Sequence, residues 1–405
     1  MRAAIPTALL AAVGLAVAPA PATARPPPRL TATGAALIEE STGKQLYGLA
    51  ANRELPIAST TKLMTALLTL EHVHRLSTVF TQNDYLAAAA DSQIGLMPGE
   101  RMSVHDLLLA LLLPSADDAA EDLAYNVGHR SVGYFVGMMN ARARELGLKH
   151  THYSNPIGFD APPGNYSSAS DLVKLASYVL QKSAFFRRVV ALPRAVLFTG
   201  SHVRVVTNKN DLVGRVPWIS GVKTGHTLDA GYVLVGSGIR NRMTLIGAVL
   251  GAPSRSSSEA STLALLDFGF ANYALRTPVA AGAVVARVSV SGQTGKYATV
   301  VTANSVTSLF PRSARVHTRV AVPRALTGPL PRHSAVGTLV VFAGDRRVAS
   351  VPLLLAYALP APPAVASALL PPGTLFWLVA VFGLFIGATV FWRLRLRARR
   401  AEPER

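Results

Sequence analysis

Residues 57–68 read IASTTKLMTALL, and this stretch predicts the start of a buried helix. The apolar residues in its second half recur at helical spacing, and Pro56 followed by Ser-Thr-Thr is typical of a helix start. Ser59 and Lys62 lie three residues apart, so they share one helix face and the lysine can reach the serine. Unpaired backbone N–H groups at the positive end of a helix favour developing negative charge. Ser59 therefore occupies a suitable position for a nucleophile, and the alternative from this stretch alone is a helix cap followed by a solvated lysine.

The composition excludes several classes of protein. The chain has 405 residues, of which 50% are hydrophobic and 15% charged, so it is long enough for two domains with substantial cores. It contains no cysteine, which excludes disulfides, thiolate metal sites and a cysteine nucleophile. The net charge is +18, but no DNA- or RNA-binding motif accompanies it. We expect a basic surface that faces an anionic envelope polymer or a membrane, and no nucleic-acid partner.

The two ends of the chain predict export and membrane anchoring. Residues 1–24 combine an early positive charge, a short apolar stretch and a small-residue cleavage site, as a signal peptide does, and residues 25–30 are a Pro-rich lead-in. Near the other end, an Ala/Pro linker (359–372) precedes the uncharged apolar segment 373–392, whose length matches a bilayer core of roughly 30 Å. The basic tail 393–405 marks the cytoplasmic side. We expect a single-pass transmembrane helix with the catalytic domain outside the cell and the C-terminus in the cytoplasm; the alternative is a buried core helix.

Between these ends the residue pattern changes once. Within residues 31–275, apolar strands and amphipathic helices predict an α/β (α+β) domain with a helical lobe beside a sheet. From about Pro278, Val-rich alternating segments separated by turn residues predict a small β-rich domain over residues 276–358. A spacer role is our expectation for that second domain.

Three short motifs follow one another along the first domain: Ser59-Thr60-Thr61-Lys62, Ser115-Ala116-Asp117 and Lys223-Thr224-Gly225. The first motif alone is weak evidence, because a helix cap followed by a solvated lysine has the same spacing. The three together match the set found in penicillin-binding proteins and class A β-lactamases. The set is far more specific than any one member.

In these motifs and their surroundings, the chain resembles the D-alanyl-D-alanine carboxypeptidases among the low-molecular-mass penicillin-binding proteins. The resemblance covers about residues 31–273 and is carried by residues 57–65, 155–160, 166–171, 221–227 and 230–232. It implies a penicillin-binding-protein/β-lactamase-like transpeptidase fold, an antiparallel sheet flanked by helices with a helical lobe. It also implies that the following β-rich domain is similar to the family's C-terminal stalk.

The resemblance implies an acyl-enzyme mechanism. Ser59 would attack the carbonyl of the penultimate D-Ala of a peptidoglycan stem peptide ending in D-Ala-D-Ala, and water would then release the acyl group. Lys62 would accept the serine proton, which requires a neutral amine, and burial together with the second cation Lys223 would favour that form. Ser115 would relay the proton towards the leaving amine.

The third motif would bind the substrate. By the resemblance, Lys223 and Thr224 would hold the terminal carboxylate, and the backbone N–H groups of Ser59 and His226 would form the oxyanion hole. Gly225 would allow the backbone to approach closely, since a side chain there would crowd the substrate.

Asp117 departs from the family's pattern, and Arg255 is a candidate for a further substrate contact. The family usually has Asn where this chain has Asp117, and an ionised carboxylate accepts hydrogen bonds but cannot donate one to the substrate. Its negative charge would also stabilise a protonated Lys62 or Lys223, so we expect reduced or differently pH-dependent acylation. Arg255 is a candidate for the arginine that helps to hold the carboxylate in this family.

The resulting prediction is a membrane-tethered serine DD-carboxypeptidase that β-lactam antibiotics inhibit covalently. A serine β-lactamase shares the nucleophile and fold, and rapid penicillin turnover would distinguish it. A catalytically weak penicillin- or peptide-binding envelope protein is the third reading, supported only by Asp117. We expect no cofactor and no metal ligands.

Overall fold

The computed structural model describes residues 24–160, 162, 164–362 and 373–398. The predicted signal peptide, apart from its last residue, lies outside these residues, as do most of the Ala/Pro linker and the end of the basic tail. The chain divides into two compact units. The first holds the residues up to Ala281 with Asn304–Arg319 and Val340–Val351, and the second holds Gly282–Ala303, Val320–Leu339 and the chain from Pro352. The boundary at residues 275 and 276 stays a prediction.

The elements up to the seventh α-helix include one short 3₁₀ helix, Ala58–Thr61. In chain order the strands and α-helices are β1 (Gly34–Glu39), β2 (Gln45–Leu49), β3 (Leu55–Pro56), α1 (Lys62–His72), β4 (Val79–Thr81), β5 (Arg101–Ser103), α2 (Val104–Leu112), α3 (Asp117–Val127), α4 (Val132–Glu145), β6 (Tyr166–Ser167), α5 (Ala169–Lys182), α6 (Ala184–Val190), β7 (Arg194–Leu197), β8 (Arg204–Thr207), β9 (Ile219–Thr227), β10 (Gly231–Arg240), β11 (Met243–Ala252) and α7 (Arg255–Asn272).

An antiparallel sheet with helices on both faces forms the centre of the first unit. Its five strands run in the order β2-β1-β11-β10-β9. Side chains alternate across a strand, so Ala36 and Ile38 of β1 join the core with α5 and the helical lobe, while Ala35 and Leu37 join the core with α7. Both faces are therefore buried, and β9 forms one edge of the sheet.

The helical lobe positions the second motif next to the first. Helices α1, α2 and α3 pack against one another in a single core. Helix α2 is almost entirely buried and begins where the Ser103 hydroxyl accepts a hydrogen bond from the Asp106 N–H. The chain then turns at Pro114 and Ser115 into α3, which begins at Asp117. This turn brings Asp117 to the start of α1.

The chain after α7 is β-rich up to residue 355. Its strands are β12 (Tyr273–Val279), β13 (Val284–Val290), β14 (Gln293–Thr302), β15 (Val306–Pro311), β16 (Val316–Ala321), β17 (Ala325–Leu326), β18 (Ala335–Ala343) and β19 (Arg346–Leu355). In the first unit β12 pairs with β15. In the second unit β13 pairs antiparallel with β14 and parallel with β17, and the end of β19 pairs with β14. In β13, Val288 and Val290 are buried while the residues beside them are exposed, which is the predicted alternation.

The last described element is the helix α8 (Thr374–Ala398). Its segment Phe376–Arg395 is long and apolar enough to cross a membrane. The large apolar side chains described along it are exposed; Phe382, for example, is 72% exposed. The alternative of a buried core helix for this segment is therefore wrong.

Local predictions and structure differ mainly at element boundaries. The Val-rich alternating segments after Pro278 form strands as predicted, Val284–Val290 among them. Ser59 lies in the 3₁₀ turn two residues before the N-cap of α1 and not inside the α-helix, because the left-handed Ala58 (φ 47°) redirects the chain there. Helix α6 and strand β7 were not predicted.

Candidate active site

Ser59 lies in a strained turn that two glycines allow to pack tightly. The preceding residue Ala58 has φ 47°, a conformation that costs energy for any residue but glycine. A Cβ on Gly158 would lie 2.0 Å from the Ala58 carbonyl oxygen, and a Cβ on Gly225 would lie 3.1 Å from the Ser59 nitrogen. Strand β9 and the loop around Gly158 therefore approach the backbone of Ser59 more closely than a side chain would permit.

The Lys62 amine is fully buried and contacts three acceptors. Its Nζ donates to the Ser59 Oγ at 2.9 Å, to the Asp117 Oδ1 at 2.5 Å and to the Ile157 carbonyl oxygen at 2.7 Å. Three acceptors match the three N–H bonds of an ammonium group. This geometry accommodates the protonated amine paired with Asp117, and Ser59 lies within its reach.

Opposing effects act on the protonation of Lys62. Burial lowers its pKa, the carboxylate of Asp117 raises it, and the cation Lys209 lowers it again. The net direction is downward from the ordinary lysine value. The pKa of Lys223 is also lowered, first by burial and then by Lys62 and Lys209. Burial therefore lowers the pKa of both amines, and the carboxylate of Asp117 opposes that lowering.

Ser115 is buried in an unusual conformation. Its φ is 66°, and its Oγ has no hydrogen-bond partner among the described residues. A buried hydroxyl without a partner is costly, and a left-handed serine adds backbone strain. Such a group is available to a ligand that enters the site.

A cleft of about 280 Å³ opens over Ser59. Ser115 and three residues of β9 line it, namely Thr224, Gly225 and His226. Lys62, Lys223 and Asp117 lie behind this surface, since each is buried. The His226 ring packs against the Tyr232 ring with centroids 4.1 Å apart. The structure thus brings all eight predicted site residues to one region.

Arg255 and Lys209 also line the cleft. Arg255 is the first residue of α7 and donates to the Asp211 Oδ2 at 3.0 Å. The Lys209 amine donates to the Ser92 hydroxyl, and burial lowers its pKa. Sequence reasoning missed Lys209, because the polar run that contains it resembles an ordinary loop.

A buried carboxyl on α3 was also missed. Glu121 follows Asp117 by one helical turn, so the two lie on the same face. Burial, reinforced by the charge of Asp117, raises the pKa of Glu121 to about 7, while Lys62 lowers it. No motif marks Glu121; only the fold shows that it faces the charged centre.

Comparison with known proteins gives consistent matches. Residues 21–254 match the family described as D-alanyl-D-alanine carboxypeptidase, and residues 273–360 match the family described as penicillin-binding protein 5, C-terminal domain. The chain is 32% identical over 327 residues to D-alanyl-D-alanine carboxypeptidase DacF of Bacillus subtilis, covering 76% of this chain and 81% of that protein.

Two solved structures are similar as well. Penicillin-binding protein 5 of Haemophilus influenzae superposes with a TM-score of 0.64 at 25% identity, covering 83% of this chain and 99% of that one. The Streptomyces K15 DD-transpeptidase superposes with a TM-score of 0.57 at 34% identity, covering 61% of this chain and 100% of that one. The matches span both the sheet-and-helix unit and the β-rich segment.

Proposed function

This chain belongs to the D-alanyl-D-alanine carboxypeptidase family, a family of serine peptidases, and from that premise we propose that it removes the terminal D-Ala of peptidoglycan stem pentapeptides through an acyl-enzyme on Ser59. The single observation that carries this assignment is the contact of 2.9 Å between the Lys62 Nζ and the Ser59 Oγ at the floor of a cleft. The fold is the penicillin-binding-protein fold, with an all-β C-terminal domain.

Acylation begins when the Ser59 oxygen attacks the carbonyl carbon of the penultimate D-Ala. The neutral Lys62 amine takes the hydroxyl proton, and the bond to the terminal D-Ala nitrogen breaks. Ser115 passes a proton to that leaving amine. The unpartnered Ser115 hydroxyl supports this role, because it lies in the cleft with no competing partner among the described residues. Water then attacks the ester and restores Ser59.

The backbone N–H groups of Ser59 and His226 hold the oxygen that becomes negative during the attack. Gly225 of β9 approaches the Ser59 nitrogen closely, which supports the placement of these two N–H groups around one oxygen. Thr224 and Arg255 bind the terminal carboxylate of the substrate from the cleft surface, and Lys223 adds positive potential from behind it.

Asp117 makes the base of this enzyme unusual. Its carboxylate raises the pKa of Lys62 and so opposes the lowering by burial. A higher pH is therefore needed before Lys62 loses its proton and serves as the base. In Asp117→Asn the charge is gone, the pKa of Lys62 falls, and the rising limb of the acylation rate moves to lower pH. At a fixed pH where most of Lys62 is still protonated, the acylation rate of the variant exceeds that of the wild type roughly tenfold for each unit by which the pKa falls. The measurement is the acylation rate with a fluorescent penicillin as a function of pH.

A matched control for this substitution is Asp267→Asn, which removes a partly exposed carboxylate paired with Arg240. Its acylation profile should equal that of the wild type. An unchanged profile in Asp117→Asn would contradict the role given to Asp117.

We also propose that the protein is exported and anchored by α8. The apolar exposed length of Phe376–Arg395 and the arginines that follow it support a single span with a cytoplasmic C-terminus. Residues 1–24 would be the signal peptide, and the β-rich domain would be a spacer. Removal of D-Ala from stem peptides outside the cell would influence cell shape.

One assay tests the proposed activity. Purified full-length protein is given a pentapeptide ending in D-Ala-D-Ala, and released D-Ala is measured beside the turnover of penicillin. We expect D-Ala release and slow loss of bound penicillin. Rapid penicillin hydrolysis without D-Ala release would identify a β-lactamase. Because one relative is a DD-transpeptidase, an added amine acceptor measures how much of the acyl group is transferred.

A further inference from the structure

A second cleft in the first unit, of about 200 Å³, is lined by cations and hydroxyls. Lys44 from the turn between β1 and β2 lies there with Arg346 and Arg347 from the start of β19, and Ser308 provides a hydroxyl group; the Thr42 hydroxyl, which also lines the cleft, donates to Glu39. All of these residues belong to the same compact unit. No carboxylate is among the residues that line the cleft.

These three cations differ from several arginines in the sheet-and-helix part of the molecule, which pair with carboxylates. Arg142, Arg187 and Arg204, for example, each pair with a glutamate. Among the described residues, Lys44, Arg346 and Arg347 take part in none of the salt bridges. Three like charges around one cleft repel one another within the Debye length of about 8–10 Å. A bound anion relieves that repulsion.

The acidic groups nearby do not fill this role. The buried carboxylate of Glu39 accepts hydrogen bonds from the backbone and hydroxyls of Ser41 and Thr42 and does not line the cleft. Asp345 is exposed in the turn before Arg346 and does not line the cleft. A further cation, Arg276, lies opposite Ser308 in the β12–β15 pair, and its guanidinium donates to backbone carbonyls.

We propose that this cleft binds the phosphate group of a phosphate ester. Guanidinium groups present paired donors that match phosphate oxygens, and an ammonium adds a point charge. The Ser308 hydroxyl makes no side-chain hydrogen bond within the described part of the chain and can donate to an oxygen of the ligand. The phosphate can come from an envelope polymer or from a lipid headgroup. The site is separate from the peptidase cleft, since the two share no lining residue.

The test compares two triple variants of the full-length protein in nonionic detergent at low salt. The first, Lys44→Gln/Arg346→Gln/Arg347→Gln, removes the cations of the cleft. The second, Arg53→Gln/Arg75→Gln/Arg188→Gln, removes the same charge from exposed positions that line no described cleft. Binding of radiolabelled inorganic phosphate is measured by equilibrium dialysis, and D-Ala release reports that each variant is folded.

We expect the first variant to bind phosphate at least tenfold more weakly and the second to bind it as the wild type does, with equal peptidase activity in all three. Displacement of the label by poly(glycerol phosphate) identifies an envelope polymer, and displacement by short-chain phosphatidylglycerol identifies a lipid headgroup. Equal phosphate binding in the first variant and the wild type, or an equal loss in both variants, overturns the proposal.

Discussion

Ser59→Ala is expected to abolish covalent labelling by a fluorescent penicillin and to lower D-Ala release by at least roughly 10⁴-fold. The physical reason is that Ser59 is the cleft hydroxyl that the buried Lys62 amine contacts, whereas the Ser115 hydroxyl has no partner among the described residues. The measurement is gel fluorescence after incubation with the labelled penicillin, together with a D-Ala assay on the pentapeptide.

The matched control is Ser313→Ala, an exposed serine of the β-rich segment, which should label as the wild type does. The variant Ser59→Ala keeps the shape of the turn, so its thermal unfolding should stay close to that of the wild type. Penicillin labelling that persists in Ser59→Ala would place the nucleophile elsewhere and would contradict the proposed mechanism.

Lys62→Met should slow acylation by roughly 10²–10⁴-fold, which is the usual contribution of a general base. Methionine has a similar length and no amine, so the space is filled while the proton acceptor for Ser59 is lost. The same change leaves the carboxylate of Asp117 without its buried cation. Removing one partner of a buried pair destabilises proteins by about 3–5 kcal/mol, so a lower midpoint of thermal unfolding should accompany the kinetic loss.

A double variant separates these two effects. In Lys62→Met/Asp117→Asn neither charge remains buried, so the unfolding temperature should recover in large part, while acylation stays as slow as in Lys62→Met. If the double variant regains both its stability and its acylation rate, Lys62 has a structural role only. The single-turnover acylation rate and the unfolding midpoint, measured on the same samples, distinguish these outcomes.

The charged centre has a further consequence for how the enzyme responds to pH. Lys62 combines a pKa lowered by burial with a carboxylate that raises it. Glu121, whose pKa is raised to about 7, is charged above that pH and neutral below it. A charged Glu121 strengthens the negative field around Lys62 and a neutral one relieves it. As the pH rises, Lys62 loses its proton while the newly charged Glu121 favours keeping it, so the two titrations have opposite effects on the acylation rate.

Much of the site could be predicted from the sequence because its motifs are local. Ser59 and Lys62 are three residues apart, and the backbone alone brings them within reach. The order of the Ser115 and Lys223 motifs identified the family's arrangement, and the alternation of Val288 and Val290 identified a strand. The apolar length of residues 373–392 likewise predicted a helix that is not buried.

The remaining features are non-local, and no spacing rule contains them. The charge of Asp117 was visible, but its contact with the Lys62 amine depends on how α3 packs against α1. Lys209 reaches the cleft from the loop after β8, and Gly158 matters only because Ala58 lies against it.

By itself, therefore, the sequence determined the family and predicted the nucleophile, its nearest amine and the anchoring segment, since each depends on neighbours along the chain. The tertiary structure alone decided which distant charges surround that amine and how closely the backbone of β9 approaches Ser59. The reason is physical: burial and the distance between charges set the protonation of a lysine, and both quantities exist only once the chain has packed.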